Sequence, residues 1–287
     1  YNRSSRDVES VETREGDYVE FVVESATDHR VLLITDKGNC HAINCKSLPE
    51  GKWRDKGIYL HNLVNSFDED ERPVAVISVK EFSENRFIQF YTTMGMIKRT
   101  PLSEYNARKA KIQACSLKDG DKLVGAELTD GQKDVIFITR LGMSIRFPGS
   151  EVPVVGRVAI GVKGIRLKND DSVIFGGEID DEGEIMTVTD RGFVKRTLAA
   201  DYQPQGRGGV GYRTIRFARN RSNGSYLVAS FYVKEPYEIM LQQKDGTTTG
   251  VETESIPIEE RDGKGQPAVL VLMDNEICAA YRNYKDL

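Results

Sequence analysis

The 287-residue sequence predicts an all-β fold, a β-propeller of four-stranded blades, on three observations. One motif recurs five times, the recurrences fall about one blade apart, and no segment holds a sustained helical period. The motif is clearest in MGMIKRTPLSEY from Met94 and RGFVKRTLAADY from Arg191, with a blurred copy, LGMSIRFPGSEV, from Leu141. The frame then finds TDKGNCHAINCKSLP around Gly38 and QKDGTTTGVETESIP around Gly246. Successive turn glycines (38, 95, 142, 192, 246) lie 57, 47, 50 and 54 residues apart, near the period of roughly 40–50 for propeller blades. Repetition overrides length as a guide to domain number, so one extended array is expected.

Each element has its own signal. Strand composition, rich in Val, Ile and aromatic residues, marks pairs of short runs: Tyr18 to Glu24 and Arg30 to Thr35, then Pro73 to Lys80 and Arg86 to Thr92. Lys122 to Leu128 precedes Asp134 to Thr139, Ser172 to Ile179 precedes Glu184 to Thr189, and Tyr226 to Val233 precedes Glu238 to Gln242. Each second run enters a tight turn whose glycine suits a positive φ, and a third strand leaves it. After a loop rich in Gly, Pro and basic residues comes a short apolar strand: Ile58 to Leu60, Ile112 to Ala114, Val162 to Leu167, Arg213 to Phe217 and Ala268 to Leu272. That makes four strands per repeat, over residues 17–64, 72–117, 121–167, 171–217 and 224–272. The links SFDEDER (Ser66 to Arg72), KNDD (Lys168 to Asp171) and RNRSNG (Arg219 to Gly224) separate them. The two ends, 1–16 and 273–287, remain, and a sixth blade built from both would cover exposed edges. The expectation is a six-bladed ring, closed or broken.

Composition excludes several classes. With 39% apolar and 29% charged residues the chain is an ordinary globular protein. It has no apolar run of the roughly 18 residues needed to span a bilayer, and its polar start lacks a signal core, so a cytoplasmic location is expected. The Tyr1 start suggests a piece of a longer protein. Cys40, Cys45, Cys115 and Cys278 form no CxxC pair, which points to reduced thiols. No metal set emerges, because Cys40 and Cys45 lie five apart in a strand-like segment and would face opposite ways. No nucleophile motif or phosphate loop is present, and His29, His41 and His61 have no nucleophile partner, so no catalytic residue or cofactor site is assigned.

Charge carries the functional signal. The net charge is −4, but its distribution is uneven: Lys98 to Gln113 sums to +4, Arg140 to Lys168 to +5 and Lys195 to Arg221 to +6, while Tyr1 to His29 sums to −5 and Lys244 to Lys264 to −3. The middle three repeats are basic and the flanks acidic, the footprint of a polyanion held along an arc. Within the motif, Lys98-Arg99 and Lys195-Arg196 sit in the third strand, with Arg146 in the corresponding place. Strand neighbours face opposite ways, so the recurrent arginine is the candidate for a row of phosphate contacts, and edge protection is the structural alternative. The carboxylates Glu104, Glu151 and Asp201, five residues after the arginines, suggest local pairing with them. The candidate polyanion contacts are Lys98, Arg99, Arg108, Lys109, Lys111, Arg146, Arg157, Lys163, Arg166, Lys195, Arg196, Arg207, Arg213 and Arg216. QGRGGVG (Gln205 to Gly211) has the letters of a dinucleotide fingerprint at Gly206, Gly208 and Gly211, but no strand leads into it and no helix follows. Its amides, with Arg207 and Arg213, would face a phosphate or a neighbouring blade, or the loop is a plain connector.

KRTPLSEY at Lys98 and KRTLAADY at Lys195, with the strand, turn and basic-loop repeats around them, resemble the C-terminal domain of the A subunit of bacterial type IIA topoisomerases over nearly the whole chain. The resemblance implies a pinwheel-like propeller that binds and bends double-stranded DNA on its outer rim and has no catalysis of its own. It implies as partners the ATPase B subunit and the N-terminal cleavage core of the same polypeptide, with ATP and magnesium used elsewhere in the parent enzyme and no small-molecule substrate here. The gyrase-specific QRRGGKG-type box is absent from the first repeat, which reads LPEGKWRDKG (Leu48 to Gly57). That favours the topoisomerase IV branch, acting in decatenation and supercoil relaxation, over gyrase-type wrapping. A propeller that binds an acidic protein is the competing class.

Overall fold

The computed structural model describes residues 13, 17–51, 55–64, 66–168, 170–272 and 274–284. Five antiparallel sheets are built around the five hairpins, whose turn glycines all take positive φ, +76° at Gly38 and +77° at Gly95 among them. In blade 1 the hairpin Arg30–Thr35/Asn39–Asn44 is flanked on the inside by Pro73–Val79 and on the outside by Lys111–Gln113. Blade 2 sets Phe87–Thr92/Met96–Pro101 between Leu123–Thr129 and Val162–Lys163. Blade 3 sets Asp134–Thr139/Met143–Pro148 between Val173–Ile179 and Tyr212–Arg213, and blade 4 sets Glu184–Thr189/Phe193–Leu198 between Leu227–Val233 and Gln266–Pro267. Blade 5 joins Glu238–Gln243/Thr248–Glu252 to an inner strand, Ile277–Arg282, and has three strands among the described residues.

Two expectations are corrected here. The ring has five blades and not six: Ile277–Arg282, expected to help build a sixth blade, pairs with Glu238–Gln243 and completes the fifth. The other half of that expected blade, residues 1–16, lies almost wholly outside the described residues. Nor is a blade one repeat. The hairpins of blades 1 to 4 take both flanking strands from the repeat that follows, as in the pairing of Leu32 with Ile77 and of Cys40 with Ile112. Two runs expected as strands are also different, since Tyr18 to Glu24 lies in no sheet and Ile58 to Leu60 leads into the short helix Leu60–Leu63.

The core lies between blades. Phe90 and Tyr105 join the cluster of blades 1 and 2, Tyr91, Phe137 and Phe147 that of blades 2 and 3, Ile138, Ile185 and Tyr202 that of blades 3 and 4, and Met186, Ile239 and Leu241 that of blades 4 and 5. Burying apolar area at roughly 25 cal/mol per Å² makes these seams the main cohesive term. Among the described residues no such cluster joins blade 5 to blade 1. The exposed face of blade 1 carries a small cluster of its own around Val31, Cys45 and Leu48, against which Leu63 packs. The Tyr18 ring stacks on Tyr281 of blade 5, 3.8 Å between centroids.

Candidate nucleic-acid interface

The inner strands surround a cavity of about 590 Å³ lined by Tyr91, Glu127, Glu178, Tyr232 and Tyr281 among others. Burial pushes the Glu127 carboxyl up to about 7, and the neighbouring Glu178 carboxyl is raised for the same reason. An acid-lined axis is the wrong place for a polyanion, which leaves the outer rim.

The KRT motif, expected to point outward, holds the blades together instead. Lys98 and Lys195 are fully buried. Lys98 Nζ donates to the carbonyls of Gly156 (3.0 Å) and Arg157 (2.7 Å), and Lys195 Nζ to those of Glu260 (2.9 Å) and Arg261 (2.7 Å) and to Thr197 Oγ1 (2.8 Å). Burial lowers both amines from the usual lysine range, Lys195 to about 8. The arginines are tethered too. Arg146, 8% exposed, bridges Asp134 and Asp181 at 2.7 Å each and donates to the carbonyl of Ala199. Arg196 pairs with Glu184 and donates to the carbonyls of Ile256 and Glu254, while Arg99 lies over the Phe87 ring and donates to the Gly131 carbonyl. Cations held by these acceptors are turned away from a phosphate outside, although Arg99 Nε has no hydrogen-bond partner among the described residues.

The remaining letters of the motif act alike. Tyr105 Oη donates to the Ala114 carbonyl, and Tyr202 Oη meets Thr214 Oγ1 at 2.6 Å, each fixing the residue just after an outer strand. Glu104 does not pair with Arg99, nor Glu151 with Arg146. Glu104 accepts the Arg157 amide (3.0 Å) and Glu151 the Arg207 amide (2.9 Å). Both loops come from the following repeat.

Exposed cations lie on the outer strands. Cys115, Ile165, Ile215 and Val269 close over the turn glycines 38, 95, 142 and 192, which puts the four outer strands in one register. Two residues before these positions stand Gln113, Lys163, Arg213 and Pro267, and one residue after them Ser116, Arg166, Arg216 and Leu270. Blades 2 and 3 therefore present the pairs Lys163/Arg166 and Arg213/Arg216, all four exposed. Arg216 has an ion-pair partner in Asp262, and no described carboxylate pairs with Lys163, Arg166 or Arg213. Blade 1 adds exposed Arg108 and Lys109 in the loop before its outer strand, whereas Lys111 is tied to Asp68 and Glu71. Because outer strands belong to the preceding blade, the positive charge of repeats two to four lands on blades 1 to 3.

A second arginine series links neighbouring outer strands, and of its members the sequence supplies Arg157 and Arg207 as candidates but not Arg261. Arg157, Arg207 and Arg261, each eight residues before an outer-strand apolar position, reach the carbonyls of Gln113, Lys163 and Arg213 on the neighbouring outer strand. Aligning the repeats on their last strand, and not only on the turn glycine, would have added Arg261 to Arg157 and Arg207. QGRGGVG makes the same bridge, so its glycines serve backbone approach: Gly208 N donates to the Gly164 carbonyl and Gly211 sits against Ser144. The cysteines are free thiols, and among the described residues no His/Cys/Asp/Glu cluster suits a metal ion. His41 is buried against Glu71 at 2.9 Å. Among the described residues no helix is long and apolar enough to cross a membrane.

Comparison with known proteins agrees with this geometry. The model of the DNA gyrase C-terminal domain, beta-propeller, matches residues 92–130, 133–176 and 183–223. The DNA gyrase A subunit of Chlamydia muridarum is 31% identical over 92% of this chain and 32% of its own length, and the DNA topoisomerase 4 A subunit of Bacillus subtilis is 32% identical over 84% and 30%. The chain thus spans about a third of the curated relatives it matches. The crystal structure of the C-terminal domain of DNA topoisomerase IV superposes with a TM-score of 0.84 at 27% identity, covering 91% of this chain and 81% of that one. The DNA gyrase A C-terminal domain does so at 0.71 and 20% identity, over 98% and 91%, which shows the fold. With its repeated hairpins, exchanged outer strands and tethering KRT motif, the chain belongs to the DNA gyrase C-terminal-domain family of β-propellers.

Proposed function

We propose that this domain binds and bends double-stranded DNA for the A subunit of a type IIA topoisomerase. The carrying observation is the register of exposed cations on consecutive outer edges, Lys163/Arg166 on blade 2 and Arg213/Arg216 on blade 3, with Arg108 and Lys109 extending the line to blade 1. Phosphates passing from blade to blade would release counterions onto these side chains with little reading of bases, and a duplex that follows a curved rim must bend. The domain itself contributes no chemistry. Strand cleavage, ATP and magnesium belong in this reading to the other parts of a parent enzyme in a bacterial cytoplasm, its cleavage core and its ATPase partner. The first repeat lacks a QRRGGKG-type box, and residues 52–54 of that stretch lie outside the described residues. Its absence, with no apolar cluster joining blades 5 and 1 among the described residues, favours a topoisomerase IV role in decatenation and relaxation. The 31% identical gyrase relative supports a wrapping domain as the second reading.

Duplex affinity measured across a salt series tests the proposal. Replacing Lys163, Arg166 and Arg213 by Gln should flatten the log–log salt slope by about 0.9 for each phosphate no longer neutralised. An unchanged slope would remove DNA from this rim. Topology assays on nicked circles ligated with the domain bound separate the two branches, since tight wrapping fixes chiral writhe and a bend on three blades does not.

A further inference from the structure

Blades 1 to 4 show four times over what covers the outer edge of a blade. The turn-glycine carbonyl accepts an amide from the incoming strand: Gly38 from Ala114 (2.8 Å), Gly95 from Gly164 (2.7 Å), Gly142 from Thr214 (2.9 Å) and Gly192 from Ala268 (2.9 Å). The two residues after the glycine pair with that strand, as Met96 does with Lys163 and Ile97 with Val162. In blades 2 to 4 a β-branched side chain, Ile165, Ile215 or Val269, then closes over the glycine.

Blade 5 has the same turn and none of the cover. Gly246 takes φ +91°, yet nothing stands within 4 Å of the point where its Cβ would sit, and among the described residues its carbonyl receives no such amide. Thr247, Thr248, Gly250 and Glu252 are exposed along an edge whose counterparts in blades 2 to 4 are largely buried. Cyclic order would assign the slot to the end of the first repeat. That segment forms the helix Leu60–Leu63 instead, and Leu63 packs on blade 1.

We propose that the Thr247–Glu252 edge accepts a strand from another polypeptide, an extended basic segment with a β-branched residue that closes over Gly246. An open edge offers unpaired amides and carbonyls as a template for strand addition. The surroundings choose the sign: Glu252, Glu254 and Glu260 are exposed beside the edge, in a repeat whose stretch from Lys244 to Lys264 sums to −3. Charge complementarity thus favours a partner with Lys or Arg around the β-branched residue, the composition of the chain's own donor strands on blades 2 and 3. The site stands whether or not the rim binds DNA, because it uses the acidic end of the ring.

A peptide copying residues 160–168, the donor strand of blade 2, is the probe, added to the intact domain without DNA. Saturable binding is expected, with amide shifts centred on Thr247 to Gly250. An Ile165→Asp peptide should not bind, and Glu252→Lys with Glu254→Lys should weaken the parent peptide about fivefold to tenfold at low salt. Neither carboxylate side chain holds a described tether, so a folded variant is expected and circular dichroism checks it. No saturable binding, or shifts elsewhere, overturns the proposal. So does slow hydrogen exchange at Thr248 and Gly250 in the peptide-free monomer, which would mean that the chain fills its own slot. Concentration-dependent dimerisation through this edge would assign it to a second copy instead.

Discussion

Arg146 and Arg213 are both basic, both recur in the repeat frame and both fall in a positively charged stretch, yet their environments are opposite. The first is buried across the third strand of blade 3, clamped by Asp134 and Asp181, and the second stands exposed on the outer strand of the same blade. The strictest repetition belongs to the tether. Blades 2 and 4 use the same hydrogen bonds, from Lys98 and Tyr105 and from Lys195 and Tyr202, so KRT and the tyrosine of KRTPLSEY recur as a folding signature, whereas rim contacts need only charge and drift between Lys and Arg. Recurrence in a repeat protein reports what each seam requires before it reports what a ligand requires.

The largest effect expected from disturbing this contrast is on stability. Arg146→Ala removes the partner of Asp134 and one of the two donors to the Ala199 carbonyl, which keeps the Tyr202 amide. A loss of about 3 kcal/mol is expected in urea unfolding, from the cost of stranding one side of a buried pair. DNA affinity per folded molecule should stay within about twofold. A stable Arg146→Ala protein with weakened DNA binding would return this arginine to the interface.

The rim variant is the mirror image. Lys163, Arg166 and Arg213 changed together to Gln should cost on the order of a hundredfold in duplex affinity at low salt, with a slope flattened by about 2–3. Stability should move by less than about 0.5 kcal/mol per site, as for exposed positions without partners. Unfolding that tracks the drop in affinity would blur the division between the two sets.

Much of this was legible in the sequence because it is local. A turn glycine between two β-rich runs specifies a hairpin, and all five hairpins were readable from Gly38, Gly95, Gly142, Gly192 and Gly246. Partner choice was not readable. Periodicity places Lys111–Gln113 in a strand but does not tell which hairpin it joins, and the exchange of strands moved the basic arc back by one blade. Burial of Lys98 and Lys195 was hidden for a related reason: a lysine reads as surface unless the carbonyls that receive it are known, and those lie 58 and 65 residues away at Gly156 and Glu260. The blade count failed because residues 277–282 lack a turn glycine and so carried no sign of which hairpin they complete.

Smaller effects refine the boundary between tether and contact. Arg207 belongs to both sets, since it donates to the carbonyls of Glu151 (3.0 Å) and Lys163 (2.7 Å) and sits partly exposed between the cations of blade 2. Arg207→Ala should therefore cost about 1 kcal/mol in stability, the net worth of ordinary hydrogen bonds, and about one unit of salt slope. If only one quantity changes, the residue belongs to one set alone.

The buried amine of Lys195 allows the finest test. Its folded-state pKa is lowered by burial to about 8, below the ordinary lysine value of 10.5. Between those values the unfolded chain binds more protons than the folded one, so this group's contribution to stability rises with pH there, and its penalty is fully present below about 8. Unfolding free energies of the protein and of Lys195→Met, measured from pH 7 to 10.5, isolate that term because other titrations cancel in the difference. The difference should shift in favour of Lys195 as pH climbs through this window. A flat difference would mean that Thr197 and the two loop carbonyls already offset the burial, and the tether would then be a fully compensated charge like that of Arg146.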